Sequence, residues 1–569
     1  MSFLCLSAPP VGVRVPRSVP PSPPTVPKKP LTARPIIWAK SRQEVCESLD
    51  WFRSYQSGVY HSKELVKGYL LSAFSADRDI FARDGRLIIS HGGGKAESLH
   101  NSKGRTKLQK ASDQEEGDKS VRALLRTQQM GRPVVLIIDD RYALFPYDLS
   151  TKANCTYVVL GFYHIAHAWA ERQPADNNYG FVVRYKFAFE WCDKQPAPWW
   201  IEQDGSSGLE ACRIAAPLKL GNLSAQYSPC ASCHKASPRV YEQGWMCLHP
   251  GCVAFWIMNG TSPPQDLSYS EAFLRASLEC NHEAMEDIAP QTPVTEATDG
   301  VITSRRFTRG WHCKDCGRLS CRYKWQYWEC QNCGATLQII GMARSPKDLR
   351  AQNSLAFLTH KVAEDSGIQV SQLMPFRDEE LHAYYHIYIL PENRGRIYLI
   401  LGTPRINEVA DEIFQEYQDQ AGTGELQLRR WPLKKHQCRG ELLTNYFSHN
   451  TGEPYRVSTV ATSTYIYMLI LLAQYVGGTT DTVPFDVAPS AVVKARDLIH
   501  SRMMSIMQAE NQPYRFNEVL SAAYMEEQSM AGDVLIMDGA KIQEYYEHTV
   551  VPHNFRIAAT ARYIDNRSH

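Results

Sequence analysis

The chain has 569 residues, with 62 lysines and arginines against 60 aspartates and glutamates, for a formal net charge of +2. That length exceeds what one hydrophobic core supports, so three or four domains are expected. The near balance of charge excludes a global field for a polyanion, and any nucleic-acid surface has to be a local patch.

Residues 1–40 are rich in proline and free of acidic residues, as in PRSVPPSPPTVPKKP from Pro16 to Pro30. Fixed φ angles and missing N–H donors oppose helix and core formation, which predicts a disordered tail. A mitochondrial targeting peptide is the competing reading, and the prolines oppose the amphipathic helix that import requires.

Residues 41–205 read as an α/β or β-rich domain of unknown type. Helical periodicity in SADRDIFARD (75–84) gives way to a strand in GRLIISHGGGK (85–95), and a charged insertion near 101–120 follows. Alternating or continuous apolar runs then predict strands in PVVLIIDD, TYVVLGFYHI and YGFVVRYKFAFEW, so that 121–202 reads as β throughout. The SHGGGK turn lacks the first glycine and the final Ser/Thr of a phosphate loop and reads as a plain turn.

Eight of the sixteen cysteines fall into two clusters, Cys230, Cys233, Cys247 and Cys252, then Cys313, Cys316, Cys330 and Cys333. The spacings are C-x2-C-x13-C-x4-C and C-x2-C-x13-C-x2-C. Each C-x2-C turn presents two thiolates at one corner of a tetrahedron, and a hairpin returns the second pair. Two zinc ribbons are therefore predicted, over 206–265 and 300–345, each with one Zn(II) in a closed, structural site. Four cysteines suffice, so Cys321, His234, His249 and His312 are not assigned as ligands. No secretory signal precedes the clusters, and a reducing compartment, nuclear or cytoplasmic, is expected.

Inside the second cluster, GRLSCRYKWQYWE mixes Arg318, Arg322 and Lys324 with Tyr323, Trp325, Tyr327 and Trp328. Two readings stand: a stacking surface for single-stranded nucleic acid, or a small ribbon using its aromatics as its only core.

From about residue 375 the text is α+β. GRIYLILGTP reads as a strand, and NEVADEIFQEYQDQ and SAVVKARDLIHSRMMSIM as amphipathic helices. The longest apolar run, Tyr465 to Val476, spans 12 residues, where a membrane span needs about 20. It reads as a buried helix of a soluble chain.

The segments RFNEVLSAAYMEEQSMA, GDVLIMDGAKIQEYYEHTVVP and NFRIAATARYI, with CRGELLTNYFSHNTGEPY before them, together resemble the AlkB-like branch of the Fe(II)/2-oxoglutarate dioxygenases. The likeness covers 375–566, and the version here looks like a multidomain form found in fungi with upstream zinc modules. It implies a double-stranded β-helix, or jelly roll, that binds Fe(II) and 2-oxoglutarate and dealkylates nucleic acid oxidatively. On that pattern His548 is the distal iron ligand, Arg556 holds the cosubstrate's far carboxylate, Arg562 is its partner, and Tyr524 bonds the cosubstrate. Ala522 stands where the family has asparagine. Residues 439–455 occupy the place of the substrate lid, with Asn445, Tyr446 and Tyr455 as its contacts.

The family's proximal H-x-D is missing. The chain contains neither H-x-D nor H-x-E, and 24 positions separate Tyr524 from His548, where the family places several tens more. The text jumps at 531/532, and half of the jelly roll's strands go with the missing segment. A lone histidine binds iron weakly, because affinity comes from converging ligands. Two functions are therefore expected as alternatives: a dioxygenase-family member with an incomplete iron site, or a noncatalytic zinc-dependent nucleic-acid-binding protein carrying an oxygenase remnant.

Overall fold

A computed structural model describes residues 28–73, 76–93, 112–151, 154–175, 177–201, 226–276, 287–291, 301–349, 366–376, 383–401, 404–433, 436, 438–454, 481–507, 515–526, 534–538 and 555–563. The expected buried helix at 465–476, His548 and Tyr455 lie outside the described residues. The fold is α+β and strand-rich, built on open sheets.

The N-terminal domain is organised by an eight-stranded sheet. Its strands are β1 (Trp38–Ala39), β2 (Val59–Ser62), β3 (Leu65–Leu71), β4 (Ile80–Ala82), β5 (Leu87–His91), β6 (Val134–Asp139), β7 (Tyr157–Pro174) and β8 (Phe181–Trp191). The order is β2-β3-β6-β7-β8-β5-β4, with β1 added to β7 and only β3 and β6 parallel. Both faces are covered, which is why β6 and β7 read as continuous apolar text. Alternation assigns Val134, Leu136 and Ile138 to one core, and Val135 and Ile137 to the other. Helix α2 (Lys119–Gln129) packs Val121 and Leu124 into the first core. Helix α1 (Arg42–Ser48) packs Val45 and Cys46 into the second. A capping box starts α1: Ser41 Oγ accepts from the Glu44 amide, and the Glu44 carboxylate accepts from the Ser41 amide.

Four sequence expectations change here. The tail does not extend to residue 40, since Lys29–Pro30 pairs with Tyr147–Asp148, and Ile37, Trp38 and Ala39 are buried. Residues 76–84 form no α-helix: Ile80–Ala82 is strand β4, and Arg83–Gly85 is a single 3₁₀ turn. The buried Lys186 ammonium donates to the Asp79 carboxylate and the Asp77 carbonyl, and Arg83 and Asp84 turn the chain with φ of 54° and 53°. That contact neutralises a fully buried cation, which outweighs local periodicity. The charged insertion ends before 120, because Gln114 is buried and bonds Gly92, Val183 and Tyr185 of the sheet region. Residues 119–129 are helix, not strand, and Val121 and Leu124 carried the helical spacing.

The C-terminal unit holds β9 (Tyr384–Ile389), β10 (Arg396–Leu401), β11 (Phe447–Gly452), β12 (Glu518–Tyr524), β13 (Val534–Asp538) and β14 (Arg556–Arg562). Helices α3 (Pro404–Thr423) and α4 (Ser490–Met507) stand where the apolar spacing predicts them. Strands β9, β10 and β13 belong to a five-stranded sheet, and β11, β12 and β14 form a three-stranded one in the order β11-β12-β14. No helix among the described residues is long and apolar enough to cross a membrane.

The second cysteine cluster lies between these halves. Glu47 of α1 receives both Arg430 Nη1 and Nη2 at 2.8 Å, and Arg430 also donates to the Thr444 carbonyl. Both side chains are nearly buried. Removing one partner of a buried, bidentate pair leaves an uncompensated charge and costs about 3 kcal/mol or more. Glu47→Ala is therefore expected to lower the urea midpoint of the C-terminal unit markedly, and an unchanged midpoint would contradict this assignment.

Candidate metal centres and a polar sheet face

Among the described residues, two groups of side chains converge as metal sites: Cys230, Cys233, Cys247 and Cys252, and Cys313, Cys316, Cys330 and Cys333. All four sulfurs of each group lie within 4.8 Å of one another. Paired sulfurs stand 3.8 and 3.7 Å apart in the first group, and 3.5 and 3.4 Å in the second. A tetrahedron with Zn–S of about 2.3 Å puts sulfurs about 3.8 Å apart, so both groups fit one zinc ion each.

Local backbone explains the convergence. In three knuckles the first cysteine's carbonyl accepts from the amide four residues on, at 2.8 to 2.9 Å (His234 to Cys230, Gly317 to Cys313, Gly334 to Cys330). Those residues take left-handed φ of 59°, 75° and 76°. Glycine accepts that conformation freely, and His234 does so under strain. The amides of Cys233 and Ser232 hold the Cys230 thiol down at about 6, while burial pushes Cys247 and Cys313 up to about 12. Full deprotonation of either quartet therefore requires a cation among the sulfurs. The adjacent histidines serve elsewhere: His249 and His312 bond the carbonyls of Ala236 and Ile36.

The second ribbon uses its tryptophans and arginines as core, as the second of the two readings expects, while Tyr323, Lys324 and Tyr327 stay half-buried. Trp325 and Trp328 are buried, and Arg322 has no exposed surface. Arg322 spends its donors on the carbonyls of Ile302, Phe307, Lys324 and Trp325. Burial, then the neighbouring Arg430, push its pKa down to about 9. Arg318 is paired with Glu44 at 2.6 Å, and Lys324 with Glu329 at 2.7 Å. A ribbon this small draws its core from these aromatics, and its cations neutralise neighbours.

The three-stranded sheet brings three of the resemblance's site residues together. Tyr524 of β12 is the cross-strand partner of Arg556 of β14, and the Tyr446 ring lies 5.1 Å from the Tyr524 ring. Arg562 lies at the far end of the same face, where it donates to both oxygens of Glu518 at 3.1 and 2.9 Å. Burial raises the Glu518 carboxyl against the pull of Arg562. Oriented to donate, the Asn450 amide reaches Glu518 Oε1 at 2.8 Å. Residues 518, 520, 522 and 524 alternate with Val519, Ser521 and Ala523, which turn to α3 and α4; Tyr417 and Ser521 share a 2.8 Å hydrogen bond. One face is thus core and the other polar. The register thus places Arg556 on one face with Tyr524 and Tyr446, a set of residue types that suits a carboxylate.

Residues 439–455 are not all lid. Phe447–Gly452 is strand β11, with Phe447 in the core, while Asn445 is exposed. Sequence reasoning missed Glu518 and Asn450. Counting in twos back from Tyr524 reaches Glu518, so the signal was present.

It also missed a cavity of about 370 Å³ at the edge of the N-terminal sheet, lined by Arg53, His61 and Lys119 with the hydroxyls of Ser54, Ser57 and Ser120. Among the described residues no carboxylate lines it. Arg53 pairs behind it with Asp50, which also accepts from Arg309 at 2.7 Å. Gly93 packs beside it, where a Cβ would come within 2.6 Å of Val59. No sequence spacing links these three segments, which only the sheet brings together.

No family model and no curated protein matches the chain. Solved structures align with part of it. The SRA domain of SUVH5 in complex with methylated CHH DNA is 18% identical, covering 30% of this chain and 97% of that one, with a TM-score of 0.21. The modification-dependent restriction endonuclease TagI is 19% identical over 29% of this chain and 51% of that one, with a TM-score of 0.21. KRYPTONITE in complex with mCHG DNA and SAH is 19% identical over 29% of this chain and 36% of that one, with a TM-score of 0.20.

Metal analysis of the purified chain is expected to give about two zinc equivalents, falling to about one in Cys316→Ser. A value near zero in the native chain would remove both assignments.

Proposed function

We propose that the chain is a zinc-dependent nucleic-acid-binding protein whose contact surface lies on the N-terminal domain. One observation carries this reading. Arg53, Lys119, His61 and three serine hydroxyls line the same cavity, and from Gly93 beside it the chain enters residues 94–111, which hold Lys95, Lys103, Arg105, Lys107 and Lys110 against Glu97 alone. A net charge of +2 demands such a local patch, since phosphate contacts release counterions wherever cations cluster. The acids that follow are partly occupied by backbone: Asp113 accepts from the Val183 amide and Asp118 from the Glu115 amide. The zinc clusters keep the framework folded and, as closed tetrathiolate sites, leave no coordination position for chemistry.

The polar sheet face favours a second reading, that of an AlkB-like dioxygenase domain built on a truncated jelly roll. The pairing of Tyr524 with Arg556 across the strands, with the Tyr446 ring 5.1 Å from that of Tyr524, supports that reading, in which Arg556 would hold the far carboxylate of 2-oxoglutarate. The iron site does not fit, because His548 has no H-x-D or H-x-E to join it. No oxidation step follows for this chain.

Two measurements test these readings. Anisotropy with a labelled oligonucleotide is expected to show binding that weakens with salt. Arg53→Gln with Lys119→Gln is expected to reduce the slope of log K against log salt by about two, one for each phosphate no longer neutralised. Absence of binding by the native chain would refute the proposal. With Fe(II), 2-oxoglutarate and methylated DNA or RNA oligonucleotides, no succinate above background is expected. Clear turnover would overturn the missing-ligand account.

A further inference from the structure

We infer that the second zinc cluster is a latch coupling the C-terminal unit to the N-terminal domain, while the first cluster serves the N-terminal domain alone. This inference is independent of the nucleic-acid reading.

The two ribbons differ in what they touch. Around the first cluster, Val240, Tyr241, Phe255, Trp256 and Phe273 belong to the same core as the eight-stranded sheet. The Leu248 carbonyl accepts from the Ala170 amide of β7, and His167 of β7 bonds the Tyr227 hydroxyl at 2.8 Å. Among the described residues this ribbon shares no core with β11, β12 or β14.

The second cluster has two docking sides. Its first knuckle is joined to the N-terminal domain: Trp38 Nε1 donates to the Cys316 carbonyl at 2.7 Å, and the Trp38 amide to the Gly317 carbonyl at 3.0 Å. A Cβ on Gly317 would come within 2.5 Å of the Ile36 carbonyl, so only glycine allows this approach. On the other side, the hairpin between the ligand pairs enters the C-terminal core. Trp325 lies edge-on to Phe447 at 5.5 Å and 6.2 Å from Phe555, its amide donates to the Leu428 carbonyl, and Arg430 donates its amide to the Tyr323 carbonyl.

Zinc controls both sides because the ribbon has almost no core without it. The cluster around Phe307, Trp311 and Trp328 includes the ligands Cys313, Cys316 and Cys330 themselves. A domain of this size folds on metal binding, so loss of the ion loosens the knuckle on Trp38 and the hairpin under Phe447 together. Cys333 is exposed, which gives solvent and chelators a way to this ion.

Hydrogen exchange by mass spectrometry on the full zinc-loaded chain tests the latch. Cys333→Ser is expected to speed exchange in Phe447–Gly452 and Glu518–Tyr524 by roughly tenfold or more, with β6 to β8 unchanged. Cys252→Ser is expected to loosen residues 240–273 and leave the C-terminal strands protected. Trp325→Ala touches no ligand; it is expected to keep about two zinc equivalents and still speed exchange in Phe447–Gly452. Unchanged C-terminal protection in Cys333→Ser, or equal loss in Cys252→Ser, overturns the latch. If the cysteine variant does not fold, Trp325→Ala decides alone, and unchanged protection of Phe447–Gly452 there overturns it.

Discussion

A guanidinium with no exposed surface sits where the two halves of the molecule meet. Arg322 satisfies its donors on four carbonyls, and Arg430, beside it, is neutralised by Glu47 of α1. Burying two cations together costs free energy unless each donor is matched, and matching fixes the relative positions of α1, the second ribbon and the segment around Arg430. The polar face of the C-terminal sheet hangs from this arrangement, because Phe447, which begins β11, packs on Trp325 next to Arg322.

That constraint explains why cations and aromatics inside the second cysteine cluster are structural. The text GRLSCRYKWQYWE has the composition of a stacking surface, but its two tryptophans and both arginines are buried in packing, and only Tyr323, Lys324 and Tyr327 among its aromatics and cations are half-buried. Arg53, His61 and Lys119 instead line one cavity at the edge of the eight-stranded sheet, brought there from three separate segments. The C-terminal unit brings Tyr446, Tyr524 and Arg556 to one face, and the chain holds no H-x-D.

The elements most legible in the chain were those with strong period or fixed ligand spacing. Strands β6, β7 and β8 and helices α3 and α4 carried dense apolar patterns that burial then required. The eight clustered cysteines were readable because tetrahedral thiolate chemistry constrains spacing within a single hairpin. Segments stabilised by distant partners were misread. Residues 75–84 have helical periodicity yet yield to buried Lys186, more than a hundred residues later in the chain. Trp38 reads as part of a proline-rich tail yet is held by the second zinc knuckle.

By itself the sequence determined the chemistry available: two tetrathiolate sites, an R-x5-R pair after a lone histidine, and the absence of any H-x-D. Those are local facts of residue type and spacing. Tertiary structure alone decided which cations are spent inside and which face solvent. It also decided that Tyr446, Tyr524 and Arg556 share one face, and that the second cysteine cluster, unlike the first, packs against both halves. The physical reason is that burial and charge pairing act through space, between residues hundreds of positions apart, where no spacing rule reaches.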